Sequence, residues 1–344
     1  MIPTQRAHRV LAALAVPAFL LTAACGSDSA DESSAETSEE ATEEVFEEGA
    51  SLATVSGKPG EQPEIEIDED ASVPGGVSVE VLNEGDGPEI AEGAYLRMDV
   101  VATTVEQETE LVNTWINAEG EPIEPADNGA RPQVIAQANV ESSLPQAVTA
   151  PLVGQKVGSR VQVEGNVGDL LGPAVQQIPS LSEDDGVVWV FDIRGASDVD
   201  PAGSVEGEQA ATEDGLPAVE LTDAGPEITI PEGEDPPAEL REQLLVEGDG
   251  PEVTDGQALV VQYTGVTWAD GEVFDSSWER ESASAFQIGT GSVVPGWDQG
   301  LVGKNVGDRV LLVLPPDMAY GDQENGGIPA GSTLVFVVDI IGAA

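Results

Sequence analysis

The chain has 344 residues, 65 of them acidic and 12 basic, for a formal net charge of −53. So strong a negative excess excludes phosphate-backbone binding to nucleic acid and electrostatic attachment to anionic lipid. The single histidine, His8, and single cysteine, Cys25, both lie near the N-terminus, so the body of the chain lacks a Ser-His-Asp or Cys-His system and the ligands of an ordinary zinc site. No Gly-rich phosphate loop occurs, and neither a cofactor nor a metal is expected.

In chain order, the first element is a leader. Arg6 and Arg9 precede an apolar run from Val10 to Ala24, which closes on Leu21-Thr22-Ala23-Ala24-Cys25-Gly26. A charged start, a short apolar stretch and small residues before a cut form a secretory signal, and the run is too short for a bilayer-spanning helix. A cysteine directly after the small residues resembles a bacterial lipoprotein signal. That resemblance implies removal of residues 1–24 and lipid on Cys25, with the lipid as the only membrane contact. The protein would then sit on the extracytoplasmic face of a bacterial cell membrane. Residues 25–50 are Ser, Glu, Asp, Thr and Ala with almost no apolar side chain; they cannot bury enough surface to fold and read as a disordered acidic tether.

Two related segments follow, 51–197 and 215–344, joined by an acidic linker, 198–214, that has no Lys or Arg. Pro63-Glu64-Ile65 recurs as Pro226-Glu227-Ile228, and Glu84-Gly85-Asp86-Gly87-Pro88-Glu89 as Glu247-Gly248-Asp249-Gly250-Pro251-Glu252, both at a separation of 163. Leu152-Val153-Gly154, Val157-Gly158 and Arg160-Val161 recur as Leu301-Val302-Gly303, Val306-Gly307 and Arg309-Val310 at 149, so the first copy holds 14 extra residues in its middle. Asp192-Ile193 and Asp339-Ile340 close the copies. An internal duplication of this kind sets the organisation of the chain as two domains of ordinary size.

Each copy reads as short strands between Gly/Asp/Pro turns; in the second these are Leu259–Tyr263, Val310–Leu314 and Leu334–Ile340. A short helix is predicted from Pro295, whose fixed φ suits the first helical position, to a stop before Gly303. The fold class is α+β: two tandem domains, each a curled antiparallel sheet wrapped on one short helix.

The second copy places rings on turn-forming sequence: Val261-Gln-Tyr263-Thr-Gly265, Phe274-Asp275-Ser276-Ser277, Val293-Val294-Pro295-Gly296-Trp297, Ala319-Tyr320-Gly321 and Gly327-Ile328-Pro329. In a chain with only 4% aromatic residues, this pattern predicts an apolar pocket walled by rings, with one carboxylate at its rim. These motifs, in this order, resemble the FK506-binding-protein type of peptidyl-prolyl cis–trans isomerase, over roughly 216–344. The resemblance implies catalytic roles for Tyr263, Phe274, Asp275, Trp297 and Tyr320, with Trp297 as the floor under a proline ring. It implies substrate contacts from Arg280, Phe286, Val293, Val294, Ile328 and Phe336. Asp275, Tyr320 and the backbone N–H of Ile328 would be the polar contacts, and Arg280 would orient Asp275. Substrates would be proline-containing polypeptides, folding after export, and the family's macrolides are possible ligands. The rival reading is a non-enzymatic chaperone or interaction protein that holds proline segments in the same pocket.

Laid on the first copy, the pocket is lost. Tyr263 falls on Val100, Phe274 on Leu111, Asp275 on Val112, Phe336 on Trp189 and Trp297 near Ala147 or Val148, while nothing matches Ala319-Tyr320-Gly321. Trp115 matches Trp278, outside the catalytic set. The first copy is therefore expected to be inactive, serving either as a client-binding or dimerising module or as a spacer.

Overall fold

The computed structural model describes residues 51–68, 70–125, 129–178 and 180–344. The leader, Cys25 and the tether 25–50 lie outside the described residues.

In the first domain a hairpin of β1 (Ala53–Ser56) and β2 (Glu64–Ile67) precedes β3 (Ser78–Asn83), β4 (Tyr95–Thr104), β5 (Glu110–Asn113), β6 (Val134–Gln137), α1 (Gln146–Thr149), β7 (Arg160–Asn166), α2 (Val167–Leu171) and β8 (Gly186–Ser197). The second repeats the plan: the hairpin β9 (Ala218–Thr222) and β10 (Gly225–Thr229), then β11 (Arg241–Val246), β12 (Ala258–Thr267), β13 (Val273–Ser276), β14 (Ser284–Gln287), α3 (Pro295–Leu301), β15 (Arg309–Leu314) and β16 (Leu334–Ala343). Both main sheets are antiparallel with one strand order: β3-β7-β8-β4-β5 with β6 on β4, and β11-β15-β16-β12-β13 with β14 on β12. The repeat seen in the sequence is thus a repeat of topology.

Side-chain alternation along the central strands explains the layering. In β15, Val310, Leu312 and Leu314 point to the helix side with Trp297 and Leu301, while Leu311 and Val313 point to the opposite face. In β16, Leu334, Phe336 and Val338 take the helix side and Val335 and Val337 the other. The second face is covered by Val219 and Ile228 of the β9–β10 hairpin. The first domain does the same with Leu52 and Ala53 over Val188 and Val190. Each domain is therefore sheet on short helix with a hairpin layer added behind the sheet, but the first domain carries a second helix, α2, where a single one was expected. With both faces covered, every residue of β12 is buried, the polar Gln262, Thr264 and Thr267 included.

The Arg and Asp that recur in the copies form a buried ion pair in each. Arg160 Nε donates to Asp192 Oδ1 at 2.6 Å, and Arg309 Nε to Asp339 Oδ1 at 2.6 Å. Burial of such a pair is tolerable only when its remaining donors and acceptors are used, and the chain entering each domain uses them. Arg160 Nη2 donates to the carbonyls of Lys58 (2.8 Å) and Glu61 (2.7 Å), and the Gly60 N–H to Asp192 Oδ2 (2.7 Å). In the second domain Arg309 Nη2 donates to the Val205 carbonyl at 3.2 Å and the Val205 N–H to Asp339 Oδ2 at 3.0 Å. The stretch 198–214, a linker by composition, is accordingly laid along the second sheet, and the Ala210 N–H donates to the Leu245 carbonyl at 2.7 Å.

The domains meet through equivalent parts. A Cβ on Gly195 would lie 2.3 Å from the Ala344 carbonyl carbon, and one on Gly342 would lie 2.4 Å from Ser197 Oγ. Gly195 and Gly342 occupy the same register position in their sheets, opposite Arg97 and Val260, so the contact is reciprocal, as in an isologous dimer. The extra length of the first copy lies mainly between β5 and β6, where 114–133 replaces the short connection 277–283. There the Arg131 guanidinium stacks 3.5 Å above the Trp115 ring and bonds Asp99 at 2.7 Å.

Candidate functional site

Helix α3 sets the floor of the site. Pro295 stands at its first position, and Gly296 lets it lie close to β15, since a Cβ there would come 2.3 Å from Leu314 Cγ. That approach brings Trp297, 4% exposed, beneath the sheet. Three rings meet its indole edge-on: Tyr263 from β12 at 5.4 Å and 88°, Phe286 from β14 at 5.4 Å and 85°, and Phe336 from β16 at 5.4 Å and 84°. Phe274 from β13 closes the far wall against Phe336 at 5.5 Å and 84°. Edge-to-face packing holds rings more firmly than area burial alone. The rings leave a cavity of about 390 Å³, lined also by Asp275, Ser292, Val293, Val294 and Tyr320, within the usual size for a small-molecule site. A wider hollow of about 780 Å³ beside Val199–Glu206 is rimmed by Asp200, Glu206, Glu247 and Asp249 and has no aromatic wall.

The polar groups are fixed by a small network. The Tyr263 hydroxyl donates to Asp275 Oδ2, and Arg280 Nη1 pairs with Asp275 Oδ1. Arg280 Nη2 donates to Tyr263 Oη and to Ser284 Oγ, each at 3.2 Å. The strand carrying Asp275 is tied to β12 by Ser277, whose Oγ accepts the Tyr263 N–H at 2.8 Å and donates to Gln262 Oε1 at 2.5 Å. Burial pushes the Tyr263 phenol up to about 12, with the bond to Asp275 and its charge acting in the same direction and Arg280 opposing. Tyr320 is also raised, by burial first and then by the Asp275 charge. Both phenols are neutral donors at neutral pH. No acceptor for the Tyr320 hydroxyl is found among the described residues.

The structure brings Tyr263, Phe274, Asp275, Phe286, Val293, Val294, Trp297, Tyr320 and Phe336 around one cavity, with Arg280 at its rim. Ile328 does not line it. Its side chain is packed behind the wall at 5% exposure, and its N–H donates to the Asn325 carbonyl at 2.8 Å. The expectation of an Ile328 N–H contact is corrected: a local turn takes that donor. Val294 fits the part instead. Helix α3 has no side-chain cap, Pro295 carries no N–H, and the Val294 N–H has no acceptor among the described residues, as expected of an orphan donor at a helix start. Two valines before a Pro at the first helical position are the signal that could have found this donor. Ser292, at the cavity mouth, had no such signal.

In the first domain the same register positions carry other side chains. Val148 stands where Trp297 does, Trp189 where Phe336 does, and Ala102, Leu111 and Val112 where Gly265, Phe274 and Asp275 do. Leu170, Leu171 and Val175, from α2 and the turn after it, join Val148 and Trp189 in one buried cluster.

A profile of the family described as FKBP-type peptidyl-prolyl cis-trans isomerase matches residues 250–341, the stretch that builds this cavity. An FK506-binding protein of Streptomyces anulatus is 48% identical over 118 residues, 34% of this chain and 94% of that protein. A probable FK506-binding protein of Corynebacterium glutamicum is 39% identical over 118 residues, 34% of this chain and 98% of that protein. Among solved structures, AtFKBP13 is 37% identical, covering 32% of this chain and 96% of its own, with a TM-score of 0.30. With nearly the whole length of two such relatives matched, the chain belongs to the FKBP-type peptidyl-prolyl cis–trans isomerases.

Proposed function

We propose that the cavity of the second domain rotates X–Pro bonds in polypeptides folding outside the cell membrane, with the chain held there by lipid on Cys25. The observation that carries the reading is the four-ring chamber over Trp297 with a pinned carboxylate at its mouth. An X–Pro amide turns over roughly tens to hundreds of seconds unaided, against a barrier of about 20 kcal/mol. Halfway through the turn the amide loses resonance and much of its carbonyl dipole. A dry aromatic cup favours that less polar species over the planar one, which water solvates better, and tighter binding of the twisted form is catalysis.

The chain's own groups have distinct parts in this scheme. Trp297 carries the proline ring, and Tyr263, Phe274, Phe286 and Phe336 exclude water. Tyr320 O–H and Val294 N–H are two donors without acceptors among the described residues, suited to the carbonyls that flank the bond. Asp275, held by Tyr263 and Arg280, gives the rim a fixed negative charge. The same cup suits an FK506-type macrolide.

Proline-limited refolding of an unrelated protein, timed with and without the full chain, tests this. Acceleration at substoichiometric amounts is expected; an unchanged slow phase would refute it. Mature wild-type protein should fractionate with membranes and the Cys25→Ser variant should not; a soluble wild type would refute the anchoring.

A further inference from the structure

We propose that the first domain is a positioning element for the isomerase cavity, clamping strand β14 from outside the second domain; the inference rests on reading that cavity as the isomerase site. Strand β14 is four residues long and pairs with β12 alone. An edge strand of that length is marginal by itself and frays unless something else holds it. Yet it carries Phe286, one of the rings on Trp297, and it follows directly on the 277–283 connection that bears Arg280. A slip of this segment would move a wall ring and the partner of Asp275 together.

Both ends of the segment are held by chain that precedes the second domain's sheet. At the start, the Ala283 carbonyl accepts from the Tyr95 hydroxyl at 3.3 Å, and the Ala283 N–H donates to the Pro201 carbonyl at 2.7 Å. At the end, Gln287 Oε1 accepts the Gln133 N–H at 2.8 Å, and its Nε2 donates to the Arg131 carbonyl at 3.1 Å. Tyr95 and Gln287 are 4% and 3% exposed, so losing a partner leaves a buried group of theirs unsatisfied.

The duplication supplies an internal comparison. Gln287 Nε2 also donates to the Gly256 carbonyl at 3.0 Å, and its counterpart Gln137 makes the matching bond to Gly93 at 3.2 Å. That bond belongs to the shared fold. Among the described residues the bonds to Arg131 and Gln133 are made by Gln287 and have no counterpart at Gln137, and both residues end the longer 114–133 connection of the first copy. The added residues are thus where the inactive copy reaches the wall of the active one.

The test uses the full chain carrying Tyr95→Phe, which removes the donor to Ala283, and Gln133→Pro, which removes the N–H that Gln287 accepts; both lie in the first domain and remote from the cavity. Two readouts are taken: kcat and KM on a short X–Pro peptide, and amide hydrogen exchange across 283–287. We expect kcat/KM to fall about three- to tenfold, mainly through a higher KM, with faster exchange at Phe286 and Gln287. Unchanged kcat/KM, or a fall without faster exchange in 283–287, would overturn the proposal. If the double variant does not fold, Tyr95→Phe alone is read by the same two criteria. If the wild type has no isomerase activity, the reading of the cavity fails, and exchange in 283–287 alone decides the clamp: faster supports it, unchanged overturns it.

Discussion

Gly265 stands opposite Phe336 in the β12–β16 ladder, and a Cβ on it would lie 2.8 Å from Phe336 Cε1 and 2.6 Å from Phe274 Cζ. The absence of a side chain at this one strand position lets the two rings close the cavity wall. In the first copy Ala102 faces Trp189 instead, with Leu111 in place of Phe274.

Gly265→Ala should therefore force both rings outward. Overpacking of this kind costs about 1–3 kcal/mol, and kcat/KM should fall several-fold because the displaced rings form the wall. Denaturant midpoint and peptide isomerisation, measured together, check this; a variant with native stability and rate would show that the rings are not held as described.

Asp275→Val combined with Tyr320→Phe removes two polar contacts and leaves the aromatic chamber. Each hydrogen bond contributes about 0.5–1.5 kcal/mol, so kcat/KM should drop roughly tenfold. Near-UV circular dichroism should stay native. An unchanged rate would assign the catalysis to ring packing alone.

The phenol of Tyr263 gives a pH dependence with a definite sign. Its folded value is pushed up to about 12, chiefly by burial and then by Asp275, against an ordinary value of about 10. A group raised on folding contributes stability that is complete below its unfolded value and is lost as pH rises through its folded value. Guanidinium midpoints should thus decline between about pH 10 and 12, with Tyr320 shifted in the same direction. Tyr263→Phe should flatten part of that decline; an identical slope would contradict the burial of the hydroxyl.

Arg309→Met should destabilise the second domain by about 3–5 kcal/mol, since it leaves Asp339, 1% exposed, as an unpaired buried charge. It should also loosen 198–209, because Arg309 holds the Val205 carbonyl. Limited proteolysis near Glu206 and Glu208 reads this directly. Native-like resistance there would mean that the segment is fixed by other contacts.

How much of this was legible in advance follows from the kind of interaction involved. The Glu-Gly-Asp-Gly-Pro-Glu repeat was readable because close backbone approach dictates it: a Cβ on Gly85 would meet the Val157 carbonyl oxygen at 2.2 Å, and one on Gly248 the Gly307 carbonyl carbon at 2.4 Å. Most of the ring motifs were readable because they contain a Gly or Pro, as in Pro295-Gly296-Trp297 and Tyr320-Gly321, while Phe274-Asp275 was legible only through its place in the ordered set. The hairpin behind the sheet was not. Ala218–Thr222 and Gly225–Thr229 are five residues each, too short for a strong periodic signal, and so short a pair is stable only against Leu311, Val313, Val335 and Val337. The Val310–Leu314 run named a buried strand but could not assign its two faces to separate cores. Ile328 misled because its donor is used by a turn through Gly326 and Gly327, at φ 55° and 88°. The Gln133–Gln287 contact joins two amides 154 residues apart, a pairing that leaves no periodic or local trace.

Magnetisation-exchange NMR on a short X–Pro peptide, with a catalytic amount of the full chain, tests the central claim most directly. The account predicts cis–trans exchange fast enough to see, with peptide-induced shifts gathered on Tyr263, Phe286, Trp297 and Phe336. Exchange at the uncatalysed rate, or shifts gathered around Trp189 in the first domain, would contradict it.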